Sequence, residues 1–242
     1  MPIRNTTALV IGVNGGIGQA TAQLLTSQYQ VKALYTVSRD ETAPLSSNHQ
    51  HFALGAVATV AAYLDAFQSI ISRIGPVDLV MVCTGLLHSD SITPEKRLQD
   101  LDLESMQQVF DVNAHLPLLL IRSLLPNIKR DTIITAVSAR VGSIGDNRTG
   151  GWYSYRASKA ALNMYFKNLA IELKRTKPDS IVALLHPGTT DTALSKPFQK
   201  RVPDHKLFTP EQTAGYLLEV VDQLKPDDTG GFFAWDGQSI EW

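Results

Sequence analysis

A single cysteine stands in 242 residues. Cys83 has no partner in the chain, which excludes an internal disulfide, and no Cys/His grouping has zinc-like spacing. Neither charge is in excess, since 22 Lys and Arg face 23 Asp and Glu, for a formal net charge of −1. A balance of this kind speaks against nucleic acid or an anionic membrane as the main partner. Long hydrophobic runs are also missing. The densest, residues 116–125, is broken by Pro117 and Arg122, too short and too polar to span a bilayer. A glycine-rich turn begins as early as Gly12, which leaves no room for a signal peptide before it. The absences lead to the expectation of a cytoplasmic protein with a small-molecule ligand and no metal. What is plentiful is apolar residues, at 44% against 19% charged. That composition is far from a disordered chain, and the length fits one domain over 1–242.

Strand-like and helix-like segments alternate along the chain. Residues 7–11 form a short β-branched apolar run that enters a glycine turn, and 19–27 read as a helix. Strands are expected at 31–38, 77–83, 132–137, 181–185 and 231–235, with a further one ending at Phe52-Ala53-Leu54-Gly55. Helices are expected at 57–74, 103–125, 155–174 and 210–224, the last opened by the capping signature Thr209-Pro210-Glu211-Gln212. The polar stretch 42–51, with Pro44 and two serines, reads as a loop. Seven strands separated by helices imply an α/β fold with one doubly wound parallel sheet, order 3-2-1-4-5-6-7, and helices on both faces. Residues 189–208, irregular and proline-bearing, read as a mobile substrate-loop segment or an ordinary long connection.

The turn is Gly12-Val13-Asn14-Gly15-Gly16-Ile17-Gly18. Glycine lets the backbone approach a pyrophosphate closely, and the helix N-terminus then offers free N–H groups. The spacing differs from the usual G-x-G-x-x-G, and a purely structural turn is the alternative. Ser38 and Arg39 end the second strand, where a guanidinium and a hydroxyl suit a 2′-phosphate. Asp40 and Glu41 follow, and either would suit a ribose 2′-hydroxyl instead.

Tyr155 and Lys159 lie four residues apart on an expected helix and so share one face. An ammonium near a phenol favours the phenolate, and such a tyrosine can exchange a proton with an alcohol or carbonyl. By spacing alone the pair is a common coincidence. Its place downstream of a dinucleotide-type turn gives it weight.

Together these motifs resemble the short-chain dehydrogenase/reductase family over nearly the whole chain. Gly12-x-x-x-Gly16-Ile17-Gly18 is similar to its cofactor motif, Tyr155-Arg156-Ala157-Ser158-Lys159 to its Tyr-x-x-x-Lys motif, and Asn113 falls at its helix asparagine. Pro187-Gly188 with Thr190 and Thr192 is similar to the segment holding the nicotinamide carboxamide. Residues 142–147 and 150–153 resemble the C-factor-like branch of carbonyl reductases. The resemblance implies hydride transfer between NADP(H) and a carbonyl or alcohol substrate. In it Tyr155 is the acid or base, Lys159 binds the nicotinamide ribose and tunes Tyr155, and Asn113 holds a relay water. Gly85 lets backbone approach the adenosine-side ribose. It also implies a homodimer or homotetramer. A dinucleotide-binding regulatory or signalling protein with little turnover is the alternative, and a lyase or epimerase on the same scaffold a third.

Three positions depart from the family pattern. Counting back from Gly142 puts Ala139 in the slot of the catalytic serine. Ser138, at the strand end, is the expected substitute, with Ser143 as the other candidate. Cys83-Thr84-Gly85 replaces Asn-Ala-Gly, and Cys83 reads as an inert core thiol rather than a nucleophile. The third strand ends without the acid that contacts adenine. His88, His186, Trp152 and Tyr153 are each open to a packing role or a substrate-contact role.

Overall fold

The structure, a computed structural model, describes residues 3–55, 57 and 59–242, with Arg201 by its backbone alone. Strand β1 (Thr7–Ile11) sets the pattern for the sheet. Successive side chains of a strand face opposite ways. Leu9 and Ile11 therefore enter one core and Ala8 and Val10 the other, all fully buried. The same division recurs in β4 (Val77–Val82), where Val80 and Val82 join the first core and Leu79 and Met81 the second.

The remaining central strands are β2 (Ala33–Ser38), β3 (His49–Ala53), β5 (Ile128–Val137), β6 (Ile181–His186) and β9 (Gly231–Ala234). All neighbours pair in parallel, in the order β3-β2-β1-β4-β5-β6-β9, the arrangement expected from the alternation of strands and helices. Helices α2 (Val60–Ile70), α4 (Leu116–Leu124) and α5 (Tyr153–Thr176) cover one face through Phe67, Leu120 and Phe166. Helices α1 (Gly16–Ser27) and α6 (Pro210–Gln223) cover the other through Leu25, Leu217 and Leu218. The order reverses at β1, which lies between β2 and β4, and ligands of such sheets bind beyond the strand ends at that switch point.

Three expectations need correction, and the segment 189–208 gains detail. Residues 49–51 are strand, not loop. His49 and His51 both turn to the Thr36 hydroxyl of β2, at 2.7 and 2.8 Å, so polar side chains pair this edge strand where an apolar pattern was sought. The expected helix 103–125 is α3 (Leu103–Phe110) and α4 joined by a π-helical segment, Asp111–His115. The helix expected at 57–74 narrows to Val60–Ile70 plus one 3₁₀ turn, and one of its expected residues, Ala58, lies outside the described residues. Residues 189–208 form a folded flap. The short strands β7 (Thr189–Thr190) and β8 (Leu207–Phe208) pair in parallel and close it, with 3₁₀ turns at Lys196–Arg201 and Asp204–Lys206 between them.

Candidate active site

The glycine turn runs from the end of β1 into α1, and its geometry requires glycine at two places. Gly12 has φ of +96°, and a Cβ there would meet the Cys83 carbonyl carbon and Thr84 nitrogen at 3.0 Å. A Cβ on Gly18 would stand 2.4 Å from the Gly12 carbonyl oxygen. These contacts bring α1 hard against β1 and the loop after β4. No side chain caps the N-terminus of α1 and its first turn holds no acid, so its free N–H groups and positive dipole end are available to an anion. Gly16 closes the other side, since a Cβ there would meet Thr192 Cγ2 at 3.0 Å. The flap thus lays Thr192 against the glycine turn.

Asn14 ties this turn to the end of β2. Its Oδ1 accepts the Arg39 N–H at 3.0 Å, and its Nδ2 donates to the Asp40 carboxylate at 2.7 Å. Arg39 is exposed, and its side chain has no carboxylate partner among the described residues. Ser38 is different. Its hydroxyl is 2% exposed and donates to the Asp40 carbonyl at 2.9 Å. His51 Nε2 lies 2.9 Å from that same carbonyl, and His49 Nδ1 accepts the Leu45 N–H at 3.0 Å. Two histidines therefore brace the rim that carries Arg39. Their mixed polar pattern concealed them in the sequence.

Across the sheet, Asn113 is fully buried in the π segment. Its Oδ1 accepts from Leu86 N–H at 2.7 Å, while Nδ2 donates to the Leu86 carbonyl at 2.8 Å and the Ser158 hydroxyl at 3.0 Å. π turns inside α-helices are frequent at functional sites. Here the turn fixes the loop after β4 through one side chain. Gly85 follows from it. A Cβ on Gly85 would lie 3.6 Å from Leu194 Cδ1 of the flap, 3.9 Å from Asn113 Oδ1 and 4.0 Å from Lys159 Nζ, so Gly85, Asn113 and Lys159 line a small cradle with Leu194 over it. Next to it, the buried Thr84 hydroxyl has no partner among the described residues.

Tyr155 and Lys159 share a face of α5, as their spacing implies, and both are nearly fully buried. Lys159 Nζ lies 5.9 Å from the Tyr155 ring centre and donates to the Val137 carbonyl at 2.9 Å. Burial lowers the Lys159 ammonium to about 8, partly offset by the Cys83 thiol. Burial raises the Tyr155 phenol to about 12. The expected lowering of this phenol by Lys159 is overturned by desolvation, and Tyr155 holds its proton at neutral pH. Cys83 itself is pushed up to about 12 by burial and is no nucleophile.

Neither candidate serine is idle. The Ser138 hydroxyl, 2% exposed, donates to Asn163 Oδ1 at 2.6 Å, two turns along α5 from Tyr155. Its proton is committed away from Tyr155. Ser143 Oγ accepts the Asp146 N–H at 3.1 Å, and its own proton has no acceptor among the described residues. It follows Gly142, where a Cβ would meet Lys159 Cβ at 2.8 Å, so this turn packs directly on α5.

On the third side, Gly188 has φ of +72° and a Cβ there would meet Phe208 at 2.7 Å. Pro187 precedes it at the end of β6. The Thr190 hydroxyl is buried against Thr213 of α6 at 2.8 Å, which leaves its backbone and Thr192 for a ligand. Trp152 packs edge-on to Tyr155 and to Phe198 of the flap, at 6.2 and 4.9 Å between ring centres. His88 meets Phe198 at 5.6 Å. Phe198 was not visible as a site residue in the sequence, because only the folded flap brings it here.

A glycine turn at an uncapped helix, a Gly–Asn–Lys cradle and a buried Tyr–Lys pair thus converge at the switch point. The short chain dehydrogenase model matches residues 6–203. The chain belongs to the short-chain dehydrogenase family. A Rhodococcus sp. (strain AD45) relative, 1-hydroxy-2-glutathionyl-2-methyl-3-butene dehydrogenase, is 31% identical over 98% of this chain and 100% of its own. The C-signal protein of Myxococcus xanthus is 35% identical over 60% of this chain and 83% of its own. The fold matches the NADPH-bound carbonyl reductase from chicken fatty liver, with TM-score 0.81, 24% identity, and 99% of this chain and 95% of that one covered. The chain therefore has the family's oxidoreductase scaffold, and the residues present fit a nicotinamide dinucleotide. No helix among the described residues is long and apolar enough to cross a membrane.

Proposed function

We propose that this protein is an NADP(H)-dependent oxidoreductase that interconverts a carbonyl and a secondary alcohol, with Tyr155 as proton donor and acceptor. The observation that carries this is the buried Tyr155–Lys159 pair, with the Lys159 ammonium beside Gly85. When bound, the cofactor supplies or takes the hydride at the substrate carbon. Gly12, Asn14, Gly15, Gly16, Ile17 and Gly18 hold its pyrophosphate through backbone and helix N-terminus. Lys159 takes the nicotinamide-side ribose, Gly85 lets the backbone approach the adenosine-side ribose, and Pro187, Gly188, Thr190 and Thr192 take the carboxamide.

Tyr155, protonated at neutral pH, donates to the developing alkoxide. Lys159 stands close enough to stabilise the phenolate left behind. Ser143, with its proton free, holds the substrate oxygen in this reading, since Ser138 is bonded to Asn163. The Asn113 side chain is fully bonded, so a relay water rests on its main chain rather than its amide.

Preference for the phosphorylated cofactor rests on Arg39, exposed and unpaired at the rim that Asn14 fixes. Ser38 supports it through its main chain, its hydroxyl being turned to Asp40. The competing reading is NAD(H) through Asp40, whose carboxylate sits on the same rim, bonded to Asn14. Wild-type enzyme should bind NADPH well above NADH by fluorescence titration, and Arg39→Asp should reverse the order. Equal use of both cofactors by wild type and variant alike would contradict the assignment.

One observation bears on the substrate. A cavity of about 440 Å³ beside Gly188 is lined by Arg140, His186, His205 and Lys206 with Phe208 and Trp235, and its Arg140 is paired with Asp146 at 3.8 Å. His186 Nδ1 accepts the Arg140 N–H, so Nε2 carries the proton, and burial lowers the ring to about 4 and keeps it neutral. This supports substrates with an anionic tail, in keeping with the glutathionyl alcohol named for the Rhodococcus relative. Turnover of such carbonyls with cofactor oxidation separates an enzyme from a regulatory dinucleotide-binding protein.

A further inference from the structure

The loop between β4 and α3 carries a buried carboxylate that the chemistry above leaves without a part. Glu95 is 5% exposed. One carboxylate oxygen accepts the Ser154 N–H at 3.2 Å, and the other accepts the Ser154 hydroxyl. The Glu95 main-chain carbonyl accepts the N–H of Trp152. Three bonds thus join this loop to the first turn of α5, from a residue 59 positions earlier in the chain.

Helix α5 needs them. Its N-cap residue, Trp152, is in the left-handed region at φ 52°, provides no side-chain cap, and no acid follows in the first turn. The free N–H groups and positive dipole end of a helix are stabilised by a carboxylate placed there. A buried carboxylate is in turn costly unless hydrogen-bonded, so each partner requires the other. Tyr155 is the residue after Ser154, and the Trp152 ring packs edge-on to it. The same Trp152 ring holds Phe198 of the flap. The backbone that carries the phenol and the Trp152 ring beside it are therefore both held at the start of α5.

We propose that Glu95 is a positioning residue for proton transfer. It caps α5, and so fixes the Tyr155 phenol and the Trp152 wall relative to the loop after β4. It touches neither substrate nor cofactor, and the proposal rests on Tyr155 being the proton donor. The glycine turn at the start of α1 and Arg39 at the end of β2 stand on other elements than this cap, whose bonds go to Trp152 and Ser154.

The test compares Glu95→Ala, Glu95→Gln and Ser154→Ala in the full chain. Small misplacement of a reacting group costs up to about 100-fold in rate, so Glu95→Ala should lose about 10- to 100-fold in kcat. NADPH affinity by fluorescence should change less than about 2-fold, because the phosphate contacts are untouched. The solvent deuterium isotope effect on kcat should rise, as proton transfer becomes more limiting. Glu95→Gln keeps an oxygen for the Ser154 N–H and can bond the hydroxyl, and should restore most of the rate. Ser154→Ala removes one of the bonds and should show the same isotope signature with a smaller loss, which keeps the test alive if Glu95→Ala does not fold. Unchanged kcat in Ser154→Ala, an unchanged isotope effect in a slow variant, or failure of Glu95→Gln to rescue would overturn the proposal. If Tyr155→Phe retains turnover, the proton-donor reading fails first. If Tyr155→Phe is inactive while both variants at Glu95 are fully active, the positioning role alone fails.

Discussion

At the scale of single residues, the two serines take different parts in the proposed mechanism, Ser143 toward the substrate oxygen and Ser138 toward Asn163. Removing Ser138 Oγ leaves Asn163 Oδ1 buried without its donor, and an orphaned buried acceptor costs about 1–3 kcal/mol. For a chain of this length that is a fall of several degrees in Tm, at roughly 2–4 °C per kcal/mol. Ser138→Ala should therefore melt lower and keep most of its kcat once folded. Ser143→Ala should melt near wild type and lose about 10- to 100-fold in kcat, the range of a lost oxyanion-side donor or somewhat less. Thermal melts and steady-state rates on both variants decide it, and the reverse pattern returns the substrate-oxygen role to Ser138. The sequence placed Ser138 at the strand end and offered Ser143, beyond the next turn, by its spacing to Tyr155. It did not show which hydroxyl was free, because that depends on Asn163, 25 residues further on. The phenol of Tyr155 teaches the same lesson. Its spacing to Lys159 was legible, whereas the burial that outweighs the ammonium is a property of the packed site.

At the scale of elements, apolar periodicity carried most of the information and polar pairing carried the rest unseen. Strands β1, β4 and β6 and the second half of β5, from Thr132, bury both faces and read directly as apolar runs, whereas the Lys129-Arg130-Asp131 start of β5 does not. Strand β3 is an edge strand bonded through histidines, and the π segment adds a turn that no hydrophobic spacing marks. Helix α5 bears on assembly. Met164 and Ile171, seven residues apart on one face, are 60% and 49% exposed, and Leu103 at the start of α3 is 78% exposed. We propose that this face pairs with a second copy. Sedimentation velocity at micromolar concentration should give a dimer or tetramer, and Met164→Glu with Ile171→Glu should give a monomer. A wild-type monomer would contradict the assembly.

At the scale of the whole molecule, the strand order and both covered faces followed from the alternation of strands and helices, since a crossover between parallel strands takes only one hand. The meeting of the glycine turn, the Gly85 cradle and the Tyr155–Lys159 pair at one switch point follows from that topology. The aromatic wall of Trp152 and Phe198 and the Glu95 cap do not, because each joins loops far apart in sequence. The central claim is that Tyr155 supplies the proton for carbonyl reduction. It is tested most directly by NADPH oxidation with a reducible carbonyl in Tyr155→Phe, which keeps the ring and removes the hydroxyl. The variant should fold, bind NADPH as wild type does, and turn over at least ~100-fold more slowly, the usual worth of a general acid. Turnover near the wild-type rate would contradict the account.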